Sequence, residues 1–293
     1  MSKDNPVILN DNQIARIKSL AKDTRRIFGV QSNVPVGNDI RLILEKKDIL
    51  LCEYPFSESG DTHTYGNLVM MKAEEKTITF IGLNTASYYD EQIFAIAHEI
   101  YHFLTETGMA YTAELEVEDK ETEKMADRFA AEFLLPAEAL SEIVMILFPE
   151  GNLKKVSEAR LVRLIARLQC DWWMPYQAIV NRLLEEEYIT KEQFSRLYEQ
   201  DCRSEDGTYR RILKSTDNEI SELLNTKTRN IGVSSRIIDT IISNYEDGFI
   251  EYDELNRLLE LLGKSAEDYG LQMIADFDED LLEMMGSEGV DES

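Results

Sequence analysis

The chain has 293 residues, of which 43% are hydrophobic and 30% are charged, a composition typical of a folded protein. Its net charge of −25 argues against nucleic acid as the primary ligand, because an acidic surface repels the phosphate backbone. The same charge favours a basic protein partner, above all at residues 215–293, which carry 5 basic and 20 acidic side chains.

Three features of the sequence predict a cytoplasmic protein. The N-terminal residues show no basic start followed by an apolar block, so we expect no signal peptide. Uninterrupted apolar runs, such as residues 143–148, are far too short to span a bilayer. The cysteines are odd in number, widely spaced and in no CxxC pair, which fits a reducing compartment: Cys52, Cys170 and Cys202.

The first part of the chain is predicted to form two helices and then a small sheet. Apolar residues recur at helical spacing over residues 11–29, where Gly29 marks the end, and a shorter helix is predicted at 39–46. Segments rich in β-formers predict three strands, at residues 49–54, 67–72 and 77–83. A polar turn joins the last two strands, so we expect a mostly antiparallel sheet.

From the end of the third strand onward the pattern is almost entirely helical. Helices are predicted at residues 89–107, 120–135, 137–148, 156–169, 174–187 and 191–202. Pro136 ends one of them, because proline cannot donate to the preceding turn. The fold class is therefore predicted to be α+β. We expect three parts: residues 1–148, a helical extension at 149–214, and an acidic helical region at 215–293 whose polar tail, from Gly286, is disordered.

The segment FAIAHEIYHFL, residues 94–104, carries the strongest functional signal. His98 and His102 are four residues apart, so in a helix both rings lie on one face and can reach one tetrahedral metal ion. Glu99 is turned by about 100° from His98, so it can instead hold and deprotonate the attacking water. The alternative is an accidental pattern in which both histidines are hydrogen-bonded core groups. The uncharged flanks favour the metal, which would offset the cost of burying these polar side chains.

A catalytic zinc ion usually has a third protein ligand, and the segment ETEKMADRFAAEFLLP offers a candidate. Glu123 and Asp127 are four residues apart on a second predicted helix, whose alanines would allow close approach to the first. We predict Glu123 as the third ligand and Asp127 as the acceptor that fixes the tautomer of a ligand histidine. Glu121 and Glu118 are the alternatives, since the stretch is very acidic.

Candidates for stabilising an oxyanion are less well defined by the sequence. His63 and Tyr65 lie in or beside a polar loop ahead of the second strand and could reach the site, as could Tyr101 or Tyr111. The alternative for His63 is an ordinary exposed loop histidine.

These two motifs together resemble the ImmA/IrrE family of metallo-endopeptidases. That family has HExxH followed by an E-x-x-A-(N/D)-x-F-A segment that runs on to leucine and proline. The matching residues here are Glu123, Ala126, Asp127, Phe129, Ala130, Leu134, Leu135 and Pro136. The resemblance covers roughly residues 30–200.

The resemblance implies a zincin-like unit in a cytoplasmic peptidase that cleaves a helix-turn-helix transcriptional repressor, often in mobile elements or stress responses. It also implies Zn²⁺ bound by His98, His102 and Glu123, with Glu99 as catalytic base. A non-enzymatic alternative is a zinc-stabilised interaction protein, such as a toxin, an antitoxin or a regulator that sequesters a repressor. A weaker one is a DNA-binding regulator that uses residues 153–214.

Two further segments resemble known motifs without favouring a function. Residues 170–190 have the two-helix shape of a helix-turn-helix, but the second helix ends in three glutamates, so packing against the rest of the chain is expected. Residues 243–254 resemble a calcium loop, yet Ser243 and Tyr245 replace two carboxylates, so we expect a turn between helices.

Overall fold

The computed structural model describes residues 8–37, 39–56, 65–73, 76–107, 109–110 and 120–272. The chain forms two compact units, residues 1–230 and 231–293. Three positions singled out above lie outside the described residues, namely His63, Tyr111 and Glu118, as does the tail from Gly286.

The first unit alternates briefly between helices and strands and then becomes helical. Its early elements are α1 (Asp11–Ile27), α2 (Asp39–Lys46), β1 (Ile49–Tyr54), β2 (Gly66–Ala73), β3 (Lys76–Asn84), α3 (Tyr89–Thr105) and β4 (Met109–Ala110). Its later helices are α4 (Lys120–Leu134), α5 (Ala137–Leu147), α6 (Glu158–Trp172), α7 (Tyr176–Glu185), α8 (Lys191–Tyr198), α9 (Thr208–Thr216) and α10 (Asn218–Leu224). The predicted α+β class, with a sheet followed by a helical region, is confirmed. Helices α9 and α10 were not predicted from the sequence.

The sheet of the first unit is mixed, which corrects the expected, mostly antiparallel arrangement. The strands lie in the order β4-β2-β3-β1. The β2–β3 hairpin is antiparallel, from Gly66 opposite Leu83 to Ala73 opposite Lys76. However, β1 pairs with β3, and β2 with β4, in parallel. Both parallel pairs join strands that are distant in sequence, and β4 returns to the sheet only after α3, a crossover that antiparallel hairpins do not need.

Helix α3 lies between the sheet and α4, and this position decides where its polar residues can point. Its apolar face is completely buried, at Ile93, Ile96 and Ile100. On the α4 side, Ala126 and Ala130 are also completely buried. Small residues at these two positions let the helices approach closely, as the sequence predicted. The contact brings the first turn of α4 alongside the last two turns of α3.

Residues 149–214 share one hydrophobic core with the residues before them. The guanidinium group of Arg182 on α7 is fully buried, pairs with Glu132 on α4, and donates to the carbonyl of Leu135. Trp172 is buried at the end of α6. The predicted boundary at residue 214 falls inside α9. The helix-turn-helix-like segment thus packs against α4. The division of the chain into three parts stays a prediction.

The second unit contains β5 (Gly232–Val233), α11 (Ser235–Glu246), α12 (Tyr252–Leu261) and a 3₁₀ helix (Ala266–Tyr269). Its small core is formed by Ile238, Tyr245, Leu255, Leu259 and Ala266. The segment that resembles a calcium loop is the connection from α11 to α12. Across the described residues, none of the helices has the length and apolar character needed to cross a membrane.

Removing the buried charge of Arg182 should destabilise the fold strongly. In Arg182→Met the carboxylate of Glu132, itself buried, loses its closest partner, so we expect the free energy of unfolding to fall by about 3–5 kcal/mol. Urea denaturation followed by circular dichroism measures this. The matched control is Arg196→Met, which removes an exposed ion pair with Glu158 and should cost less than about 1 kcal/mol. Equal effects of the two substitutions would show that the buried network does not support the fold.

Candidate metal centre

The ends of α3 place both histidines of the motif in its last two turns. The helix begins after Tyr88, whose backbone N–H donates to the carboxylate of Glu91 at 3.0 Å. It ends where Glu106 takes a left-handed conformation, with φ of 55°. This turn reverses the chain, so the N–H of Thr107 returns to the carbonyl of His102 at 3.1 Å. As a result, the residues after the helix stay beside the second histidine.

Three candidate ligand groups converge at one point beside α3. The Nε2 atoms of His98 and His102 are 3.1 Å apart. The carboxylate of Glu123 lies 3.1 Å from Nε2 of His98 and 3.2 Å from Nε2 of His102. Among the described residues, the potential ligand atoms that lie close enough together to hold one ion are those of these three side chains.

The spacing of these three groups fits a tetrahedral zinc ion. Bonds of about 2.0–2.1 Å from zinc to nitrogen imply ligand atoms roughly 3.3 Å apart, close to the observed separations. The chemistry of the donor set fits as well, since two imidazoles and a carboxylate form a common catalytic zinc site. The residues present could therefore hold the metal, and a fourth position would be left for water or substrate.

The far nitrogens of both rings also have partners. Nδ1 of His98 is 3.1 Å from a carboxylate oxygen of Asp127, which is the contact that the sequence predicted. Nδ1 of His102 is 3.0 Å from the hydroxyl of Thr107, a residue for which the sequence predicted no role. No spacing rule could have found it, because its position depends on the left-handed turn at Glu106. Both rings thus present Nε2 to the cluster and Nδ1 to an acceptor.

The electrostatics of the cluster favour positive charge at its centre. Burial opposes a charge on His98, but hydrogen bonds to Asp127 and Glu123 outweigh it and raise the pKa of His98 to about 10. Hydrogen bonds from His102 and His98 lower the pKa of Glu123 to about 2. A carboxylate held ionised between two imidazoles suits a cation.

Glu99 is separate from the three converging groups and lies against the sheet. Its side chain is buried, and burial raises the pKa of its carboxyl, while the charges of the two histidines oppose the shift. The carboxylate accepts a hydrogen bond from the backbone N–H of Leu68 on β2. A Cβ at Gly66 would lie 3.3 Å from Oε1 of Glu99, so β2 approaches this carboxylate closely. This position would suit a group that exchanges a proton beside a bound metal ion, rather than a ligand of that ion.

The other candidates have surroundings of their own. Glu121, the alternative third ligand, bonds to the side-chain amide of Gln13 on α1. Burial raises the pKa of the Tyr65 hydroxyl. The next largest influences on this pKa are the charges of Glu91, which raises it, and Arg203, which lowers it, so the hydroxyl lies near the start of α3. A role for Tyr65 in stabilising an oxyanion stays a prediction, as do the ligand and catalytic roles above.

An HExxH helix beside a small mixed sheet, with a glutamate from the following helix facing both histidines, defines a metallopeptidase-type domain. Residues 44–184 match the family model of the IrrE N-terminal-like domain, Peptidase_M78. Over these residues the match supports a domain of the ImmA/IrrE family of metallopeptidases, which are typically zinc-dependent. No curated protein and no solved structure matches the chain.

Removing one of the converging side chains should weaken metal binding strongly. The purified protein is expected to hold one zinc ion per chain, and His98→Ala or Glu123→Ala should weaken zinc binding by more than the roughly 10–100-fold that loss of an outer partner costs. Metal analysis by mass spectrometry and competition with a chelating dye measure this. The control is Glu121→Gln, which changes a neighbouring carboxylate that bonds to Gln13. Zinc retained in both alanine variants would contradict the assignment.

Proposed function

We propose that this protein is a zinc-dependent endopeptidase that cleaves a cytoplasmic protein, with a basic helix-turn-helix transcriptional repressor as the favoured substrate class. The observation that carries the proposal is that ligand atoms of His98, His102 and Glu123 lie close enough together to bind one metal ion. Glu99 is buried beside them and is not one of these three groups. The family of residues 44–184 supports peptide-bond hydrolysis. The net charge of −25 supports a basic partner.

In this mechanism Glu99 moves the proton. A zinc ion bound by the three ligands would polarise the scissile carbonyl and make water more acidic. Glu99 accepts a proton from the attacking water and returns it to the leaving amine. Burial raises the pKa of its carboxyl, which brings the group closer to the pH at which it must both take and give a proton. The backbone N–H of Leu68 holds the carboxylate in place during both steps.

The substrate would bind in an extended conformation beside the sheet. Strand β2 contributes both the contact with Glu99 and the pairing with β4 at Val69 and Met70. A peptide that added beside residues 66–68 would therefore pass directly by the carboxylate of Glu99. Main-chain hydrogen bonds would provide affinity, and side-chain pockets would provide the choice of sequence.

Replacing the carboxylate of Glu99 by an amide should stop cleavage without loss of metal. Glu99→Gln cannot accept the proton of water, so we expect the cleavage rate to fall roughly 10²–10⁴-fold while zinc content is unchanged. The protein is co-expressed with basic helix-turn-helix repressors from its own genome, and fragments are identified by mass spectrometry. The control, Glu121→Gln, should cleave like the unmodified protein.

Two results of that experiment would contradict the proposal. Cleavage by Glu99→Gln at the original rate, with zinc bound, would exclude Glu99 as the base. A repressor that binds the unmodified protein and stays intact would favour the non-catalytic alternative, a zinc-stabilised protein that sequesters its partner.

A further inference from the structure

A chain of two threonine hydroxyls leads away from the outer nitrogen of His102. Nδ1 of His102 is 3.0 Å from Oγ1 of Thr107, which in turn is 2.7 Å from Oγ1 of Thr105. The hydroxyl of Thr105 donates to the carbonyl of Tyr101 at 2.8 Å. The three contacts thus form a continuous path from the histidine ring to the backbone of the last turn of α3.

The direction of every hydrogen bond in this path follows from its far end. A carbonyl oxygen can only accept, so the single proton of the Thr105 hydroxyl is committed to Tyr101. Thr105 must then accept from Thr107, and Thr107 has no second proton to offer to the ring. Nδ1 of His102 is therefore the donor, and in the neutral ring the lone pair lies on Nε2, the atom that faces His98 and Glu123.

Thr107 is held on the same histidine by its backbone as well as by its side chain. Its N–H donates to the carbonyl of His102 at 3.1 Å while its hydroxyl accepts from the ring of that residue. The left-handed conformation of Glu106 makes this double contact possible. For His98 the corresponding acceptor at Nδ1 is a carboxylate, that of Asp127, so the two rings are oriented by acceptors of different charge.

We propose that Thr107, supported by Thr105, is a positioning residue that orients the ring of His102 and fixes its tautomer for metal binding. This inference rests on the proposed zinc site, since it assigns an outer partner to one of its ligands. Loss of such a partner weakens metal binding without removing a ligand.

The test compares zinc affinity across matched threonine variants, measured by competition with a chelating dye. Thr107→Val keeps the shape of the side chain but removes the acceptor, so the dissociation constant for zinc should rise roughly 10–100-fold. Thr107→Ser keeps the hydroxyl and should restore most of the affinity. The control is Thr216→Val. Like Thr105, Thr216 is the last residue of its helix and donates to the carbonyl four residues earlier, but it lies away from the histidines.

Two further measurements separate this role from general stabilisation. Adding Thr105→Val to Thr107→Val should not weaken zinc binding further, because Thr105 acts through Thr107; a merely structural role would give additive losses. The chain has three histidines, so spectra of ¹⁵N-histidine-labelled protein are simple. The Nδ1–H proton of His102 should exchange slowly in the zinc-bound protein and rapidly in Thr107→Val.

The outcomes distinguish this inference from the proposed function. If the unmodified protein binds no zinc, the zinc site itself fails, and the positioning role fails with it. If it binds zinc and Thr107→Val binds equally well with a protected Nδ1–H, only the positioning role is overturned. The same conclusion follows if Thr107→Ser loses as much affinity as Thr107→Val, since the hydroxyl would then not be the cause.

Discussion

Close packing between α3 and α4 is the constraint on which the rest of the site depends. Two histidines on one helix fill only two positions of a tetrahedral ion, so the third protein group must come from another element. Ala126 and Ala130, both fully buried, let α4 approach α3 so that Glu123 meets both rings. A larger side chain at either position would push the two helices apart, and Glu123 would then move away from both histidine rings. The apolar contact and the polar cluster are therefore one structural feature.

The parts of this arrangement that could be predicted from the sequence are those with a helical period. His98 and His102, and then Glu123 and Asp127, are each four residues apart, and the structure brings all four side chains together. The parallel pairings of β1 with β3 and of β4 with β2 could not be predicted, because strand order depends on contacts distant in sequence. Thr107 was missed for a similar reason. It reaches His102 through a left-handed turn at Glu106, a residue type that does not mark such a turn.

The helical residues that follow α5 belong to the support of the site rather than to a separate reader of DNA. Arg182 on α7 pairs with Glu132, which lies on α4, the helix that also carries Glu123. At the other end of α3, Arg203 pairs with the buried Asp90 and with Glu91. Both α3 and α4 are thus held by arginine side chains from the later part of the first unit. Residues 153–214 carry 12 basic and 10 acidic side chains, but Arg182 and Arg203 are among the basic ones and are already engaged in these ion pairs.

The separation of Glu99 from the ligand set explains why the third ligand must come from α4. Consecutive helix positions differ by about 100°, so a carboxylate next to His98 faces the sheet when the two rings face the cluster. There it is buried, held by the N–H of Leu68, and pressed close to Gly66. Burial favours a protonated carboxyl and raises the pKa of Glu99, although the charges of the two histidines oppose the shift. A ligand has to stay ionised, as Glu123 does, and a base has to change. The histidine face of α3 keeps Glu123 ionised, whereas strand β2 buries the carboxyl of Glu99.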